Sequence, residues 1–342
     1  MSGIGELKDW QPRGESRIEV IDMHTGGEPL RVIVDGLPDI QGSNVLEKRR
    51  WFSQNHDSIR TMLMWEPRGH ADMYGAVLTQ SLDADFDVFF LHNEGYSTMC
   101  GHAIIALARL AVEAELVPAG RTSISFNVPA GRIEARVEIA DGRVVRSSFR
   151  NVASYVALRD GRVEVPGVGK VRFDIAYGGA YYAIVDAQDL GIRLCSDDAQ
   201  RLIKLGRAIK EAVVSSHSVE HPTEPDLSFL YGTIFVAAAE QADHHSRNVC
   251  IFADGELDRS PTGSGVSARA ALHHARGELA IDEPITIESI LGSTMTVRVA
   301  EVSKMGSQPV IIPEVSGQAF FSGRSSFCVE QKDMLKDGFL VR

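Results

Sequence analysis

Apolar and β-branched residues fall in short runs closed off by glycine and acidic turn residues, which is the pattern of strands. Six runs carry it: "RVIVDG" (31–36), "FDVFFLH" (86–92), "TSISFNV" (122–128), "YYAIVD" (181–186), "NVCIFA" (248–253) and "MTVRVA" (295–300). Between them, residues 101–116, 196–216 and 265–277 space their apolar positions for helices. The second helix opens on Ser196 with Asp197 and Asp198 in its first turn, a serine cap followed by acids that suit the positive helix end. Strands and helices alternate, so the expected class is α+β.

The pattern repeats. "HTGGEPLRVIVD" from His24 resembles "AYGGAYYAIVD" from Ala176, placing Gly26 opposite Gly178. "VFFLHNEGYSTMCGHA" resembles "VCIFADGELDRSPTGSG", placing Cys100 opposite Thr262, and "ISFNVPAG" resembles "ITIESILG", placing Gly131 opposite Gly292. One such match is cheap, but three in the same order at nearly one separation predict a duplicated chain. The expected halves are 1–160, carrying Cys100, and 161–342, carrying Asp258 and Thr262, with room for the last strand to pack back on the first half. A length of 342 residues also favours two domains.

Composition narrows the function. The chain is 44% hydrophobic and 24% charged, as ordinary globular proteins are, and no apolar stretch approaches the length of a membrane span. Its net charge of −11, with no basic run longer than "EKRR" at 47–50, argues against nucleic-acid and membrane partners and for a small substrate. The amino-terminal residues mix acids and bases without an apolar centre, so neither a secretory signal nor a transit peptide is read there. A cytoplasmic location is the expectation. Cys100, Cys195, Cys250 and Cys328 form no CxxC or Cys/His cluster, so neither a disulfide framework nor a metal site is expected.

Candidate chemistry lies where the duplicated helices begin. Cys100 precedes Gly101 and His102 at one helix start, and Thr262 precedes Gly263 and Ser264 at the other. The first N–H groups of a helix lack intrahelical acceptors and sit at its positive end, so two such ends facing each other would hold a carboxylate. A thiol there is expected to have a lowered pKa and to serve as a base or nucleophile. Cys195, Cys250 and Cys328 read instead as ordinary packed thiols. Taken alone, His102 reads as a surface or capping residue, Asp258 and Arg259 as solvated turn charges, and Thr262 or Ser264 as a helix cap. A phosphate loop is disfavoured, because Val266 and Ser267 stand where a Walker motif needs lysine.

Five stretches together resemble the proline racemase family, and within it the dehydratase branch: "DMHTGGEPLRVIVDGLP", "MWEPRGHADMYGAVL", "NEGYSTMCGHAIIALARL", "HPTEPDLSFLYGTIF" and "NVCIFADGELDRSPTGSGVSARAAL". The resemblance runs through most of the chain. It implies two homologous domains of diaminopimelate-epimerase type, each a strand-rich layer around a central helix, with the site in the cleft between them and no cofactor. The family's carboxylate-binding amides fall on Gly101, His102, Gly263 and Ser264. Its ring-nitrogen contacts fall on Asp258 and the His102 side chain, and Tyr231 takes the place of a pocket histidine found in some epimerases.

Racemases of the family use one cysteine from each half, and here the second is Thr262, a hydroxyl too weak for that work. The Cys/Thr pair resembles the dehydratases of trans-3-hydroxy-L-proline. There, one base, Cys100, removes the α-proton and the 3-hydroxyl leaves, giving an enamine that tautomerises to Δ1-pyrroline-2-carboxylate. The alternatives are a proline or hydroxyproline epimerase working through Thr262 or an ordered water, and a catalytically silent imino-acid-binding protein. A cysteine hydrolase is poorer, since no histidine and acid stand at a recognisable spacing. The expected partner is a small imino acid, with a homodimer as the quaternary expectation.

Overall fold

The computed structural model describes residues 4–341 except 9, 13 and 15. Its first half runs β1 (Ser16–Thr25), β2 (Glu28–Asp35), α1 (Val45–Met64), β3 (Tyr74–Thr79), β4 (Phe86–His92), β5 (Gly95–Ser97), α2 (Gly101–Glu113), β6 (Ser123–Val128), β7 (Gly131–Ala140) and β8 (Arg143–Arg150). The second runs β9 (Tyr155–Val165), β10 (Gly169–Tyr177), β11 (Tyr181–Asp186), α3 (Ala199–Ser216), β12 (Leu230–Ala237), β13 (Ser246–Phe252), β14 (Glu256–Leu257), α4 (Gly263–Ala275), β15 (Ile285–Glu288), β16 (Thr294–Met305) and β17 (Gln308–Gly317). The chain closes with β18 (Ala319–Val329).

The strands pair in one continuous ribbon. From one edge it runs β18, β1, β2, β3, β4, β6, β7 and β8, and it continues from β8 to β17, β16, β15, β13, β12, β11, β10 and β9. The parallel pairs are β2 with β3, β4 with β6, β11 with β12 and β13 with β15. Parallel neighbours need a long crossover. The four helices supply these crossovers, α1 and α2 in one half, α3 and α4 in the other. Strand β18 lies beside β1 as β9 lies beside β10, so the end of the chain returns to the sheet of the first half. Strand β9 runs through the expected boundary at 160/161.

The two central helices are buried on nearly every side, α2 through apolar residues and α4 through small ones with Arg269 hydrogen-bonded to Ser246 and Asn248. Helix α2 is buried along Gly101–Ala108 and α4 along Gly263–Leu272, and one hydrophobic core encloses both. The outer helices each cover a smaller cluster, α1 over Phe52, Leu63 and Phe89, and α3 over Leu202, Ile209 and Val213. Among the described residues no helix is long and apolar enough to cross a membrane.

Sequence reading found the other three helices to within a turn but missed α1. Its residues are mostly polar, and only a narrow stripe is buried. The available signal was its cap: the Asn44 side chain accepts from Glu47 N–H at 3.0 Å, and the Glu47 carboxylate accepts from Ser43 N–H at 2.8 Å.

Candidate active site

Helices α2 and α4 meet end to end. A Cβ built on Gly101 would lie 2.6 Å from the Gly263 Cα, and one built on Gly263 equally close to the Gly101 Cα. Glycine is therefore required at both positions by backbone against backbone. The glycine hairpins seat these ends. Thr98 Oγ1 donates to Gly179 O at 2.7 Å, and a Cβ on Gly178 would collide with Ser264 O at 2.1 Å. From the other side, Ser293 Oγ donates to Gly26 O at 2.7 Å. The starts of both helices, with the free N–H groups inherent to such starts, thus line one cavity.

Cys100 precedes α2 in extended backbone, and its Sγ lies 3.2 Å from His102 Nδ1. His102 Nε2 faces Pro29 O at 3.2 Å, an oxygen that can only accept, so Nε2 carries the hydrogen and Nδ1, the nitrogen nearer the thiol, does not; Nε2 itself lies 3.7 Å from the sulfur. The ring packs edge-on against Tyr74 with centroids 4.9 Å apart. Far from being a surface residue, His102 is buried. Burial lowers its pKa, with the charge of Asp258 opposing.

The expected lowering of the Cys100 pKa is not met. Burial pushes the thiol well above its ordinary value; Ala103 N–H and the Tyr74 hydroxyl pull it down, and the charges of Asp258 and Glu28 push it up again. A helix end favours the thiolate only where solvent or a partner shares the charge, and here the walls are apolar and acidic.

At the second mouth Asp258 is buried rather than solvated, and it organises the turn. Its Oδ1 accepts from Ser260 N–H at 2.7 Å and its Oδ2 from the Thr262 hydroxyl at 2.7 Å, while Ser260 Oγ accepts from Thr262 N–H at 3.1 Å. Thr262 stands at the cap position of α4, but its hydroxyl makes no cap bond. It enters the helix at φ 68°, a conformation that a β-branched residue adopts only under strain. Ser264 Oγ is 2.7 Å from Tyr182 OH.

The structure brings all the candidate residues together. Cys100, Gly101, His102, Tyr231, Asp258, Thr262, Gly263 and Ser264 line one cavity of about 20 Å³, walled also by Tyr74, Met99, Tyr182 and Phe252. That is room for about one water. Tyr231 stacks obliquely on Phe252 at 5.4 Å, and its buried hydroxyl, beside that of Tyr74, makes no hydrogen bond of good geometry among the described residues. Burial pushes the phenols of Tyr74, Tyr182 and Tyr231 well up.

Sequence reasoning missed Glu28, which is fully buried where the halves meet. Its Oε2 accepts from Arg259 N–H at 2.7 Å, and Arg259 in turn pairs with Asp72 at 3.2 Å. Burial, then the charge of Asp258, pushes the Glu28 carboxyl well up, against the pull of Arg259. Its position straight after the paired glycines was the available signal. Of the other thiols, Cys250 is buried in β13, and Cys195 and Cys328 are half-buried. Among the described residues no group of three or more His, Cys, Asp and Glu side chains is arranged to hold a metal ion.

Residues 20–340 match the family described as proline racemase. A protein of Colwellia psychrerythraea named trans-3-hydroxy-L-proline dehydratase is 48% identical, over 98% of this chain and 97% of its own. One of Burkholderia multivorans named 3-hydroxyproline 2-epimerase is 42% identical, over 95% of this chain and 98% of its own. Among solved structures, a hydroxyproline epimerase from Agrobacterium vitis with bound trans-4-hydroxy-L-proline superposes with a TM-score of 0.89 at 28% identity, covering 96% of this chain and 97% of its own.

Proposed function

The chain belongs to the proline racemase family, and from that premise we propose that it dehydrates trans-3-hydroxy-L-proline to Δ1-pyrroline-2-carboxylate without a cofactor. The observation that carries the reading is the state of Thr262. It stands where two-base catalysis needs a thiol, and its hydroxyl donates its hydrogen bond to Asp258. A hydroxyl ionises far above neutral pH, so it neither takes an α-proton nor returns one at a useful rate. One working base suits an elimination, in which the leaving group and not a second acid discharges the carbanion.

In this reading the substrate carboxylate sits on the amides of Gly101, His102, Gly263 and Ser264, where the charge developing at the α-carbon is also stabilised. The ring ammonium faces Asp258, whose two oxygens each accept one hydrogen bond within the protein and keep a further lone pair. Tyr231 walls the pocket. Cys100 takes the α-proton. In the trans isomer the hydroxyl is opposite the carboxylate and shares a ring face with the α-hydrogen, so loss of water on the Cys100 side is syn. The first product is the Δ2 enamine, which tautomerises to the imine.

The test is pyrroline-2-carboxylate formation from trans-3-hydroxy-L-proline, set against cis-3- and trans-4-hydroxy-L-proline. Product from the trans-3 isomer is expected, and its absence with a folded protein overturns the proposal. A second reading, 3-hydroxyproline epimerisation, is favoured by the similarity to the Burkholderia protein. Its signature is inversion at the α-carbon with the hydroxyl retained.

A further inference from the structure

A buried thiol whose pKa is raised keeps its proton at neutral pH, so little thiolate is present to act as base, and a departing hydroxide needs a proton. One contact addresses both needs. His102 Nδ1 lies 3.2 Å from Cys100 Sγ, and the Nε2 hydrogen is fixed on Pro29 O at 3.2 Å, which leaves Nδ1 free to accept. We propose that His102 is a catalytic residue that takes the Cys100 proton to form the working thiolate and then delivers that proton to the leaving 3-hydroxyl. The proposal rests on the dehydratase reading for its second step only.

The protons and electron pairs balance. At rest the pair is a thiol and a neutral imidazole. The Sγ proton moves to Nδ1, giving thiolate and imidazolium side by side, a pair that a buried site tolerates better than either charge alone. The thiolate lone pair forms an S–H bond to the α-proton, the C–H electrons become the C2=C3 bond, and the C3–O pair leaves with oxygen. Oxygen takes the Nδ1 proton and departs as water. The enzyme ends as thiol and neutral imidazole, as it began, with no proton drawn from solvent. Because Nδ1 lies 3.2 Å from the sulfur, a substrate that turns its α-hydrogen to Cys100 turns the same ring face to His102, as a syn elimination requires.

Other groups face the pair. Asp258, from the turn before α4, and Glu28, from β2, disfavour the thiolate, and Asp258 favours the imidazolium. Tyr74, from β3, supplies a hydroxyl that favours the thiolate. Tyr182 from β11 and Tyr231 from β12 close the walls, and burial keeps both phenols protonated. None of these offers a basic ring nitrogen 3.2 Å from the sulfur as His102 does.

The experiment combines two readouts on the full chain and on His102→Gln, which keeps an N–H for Pro29 but has no basic nitrogen. In the first, Cys100 is trapped with iodoacetamide from acid to alkaline pH and quantified by peptide mass spectrometry. At neutral pH its alkylation is expected to slow about 10- to 100-fold in the variant, with the thiolate appearing only at alkaline pH. In the second, kcat for dehydration is expected to fall by about 10²- to 10⁴-fold and to stay depressed at alkaline pH, where the thiolate has formed but the donor is missing. An alkylation profile identical to that of the parent overturns the proposal, and elimination that recovers in step with Cys100 ionisation overturns the donor role. If the parent forms no pyrroline at all, the dehydratase reading fails while the trapping arm still decides whether the pair shares its proton. Repeating both on His102→Asn guards against a folding defect peculiar to one substitution.

Discussion

The mouth of α2 and the mouth of α4 occupy equivalent places in a duplicated fold, yet they are built for different work. Cys100 enters its helix from relaxed extended backbone, φ −140°, and points its sulfur at a histidine. Thr262 enters at φ 68°, held there by the Asp258 and Ser260 side chains. Strain of this sort costs roughly 1–3 kcal/mol and persists only where the surroundings enforce it. The hairpins differ as well. After its paired glycines the first half carries Glu28, which reaches across to the Arg259 amide, whereas the second carries Ala180. Duplication kept the backbone cradle at both ends and let the side chains differ, a thiol beside a histidine at one mouth and a hydroxyl bonded to Asp258 at the other.

The sharpest way to break that division is Cys100→Ser. If proton transfer belongs to the first mouth alone, turnover falls by about 10³- to 10⁴-fold, since a serine hydroxyl is a far weaker acid than a thiol. Steady-state assay of pyrroline formation checks it, and dehydration within tenfold of the parent removes Cys100 from the role of base. The converse change, Thr262→Cys, tests whether the second mouth is silent only for want of a thiol. Formation of the D-isomer from L-proline is expected to rise by about tenfold or more over the parent, read by chiral chromatography. A folded variant without any epimerisation would mean that the turn holding Asp258 misdirects the new thiol.

Where the mouths agree, substitution strikes the fold. Gly263→Ala places a methyl 2.6 Å from the Gly101 backbone, and nothing flexible is there to yield. The expected loss is about 1–3 kcal/mol of stability, the usual cost of overpacking a tight core. Chemical denaturation measures it. Ala at Gly167, where no atom comes within 4 Å but φ is positive, is the control for backbone strain without a clash.

The duplication and the two helix mouths were legible in the sequence because they rest on local signals, glycine pairs and the cysteine and threonine before the helices, whereas Asp258 and Tyr231 entered through the family resemblance alone. The Cys100 environment was not legible. Helix position argues for a lowered pKa, while the opposing burial comes from Tyr74, Tyr182 and Phe252, on three strands far apart in the chain. Likewise Glu28 received no role from the sequence, since β1 and β2 must first carry it against Arg259. Such residues acquire their chemistry from tertiary contacts that no short pattern encodes.

Glu28 gives the smallest but most specific test of the difference between the halves. Its carboxyl is pushed well above the ordinary value of 4.5 by burial and by the charge of Asp258, so between 4.5 and its folded value the native state holds a proton that the unfolded chain has released. Stability from this group is therefore full below 4.5 and is lost as pH rises through the folded value. Glu28→Gln keeps the size and an oxygen for the Arg259 amide while removing the titration. The variant should match the parent most closely in mild acid and lose less stability on going to neutral pH, with a flatter slope in urea unfolding at stepped pH. An unchanged slope would mean that Arg259 holds Glu28 ionised throughout, against the charges of Asp72 and Asp258, and that the reach of the first half into the second mouth is an ion-pair clasp and not a buried neutral acid.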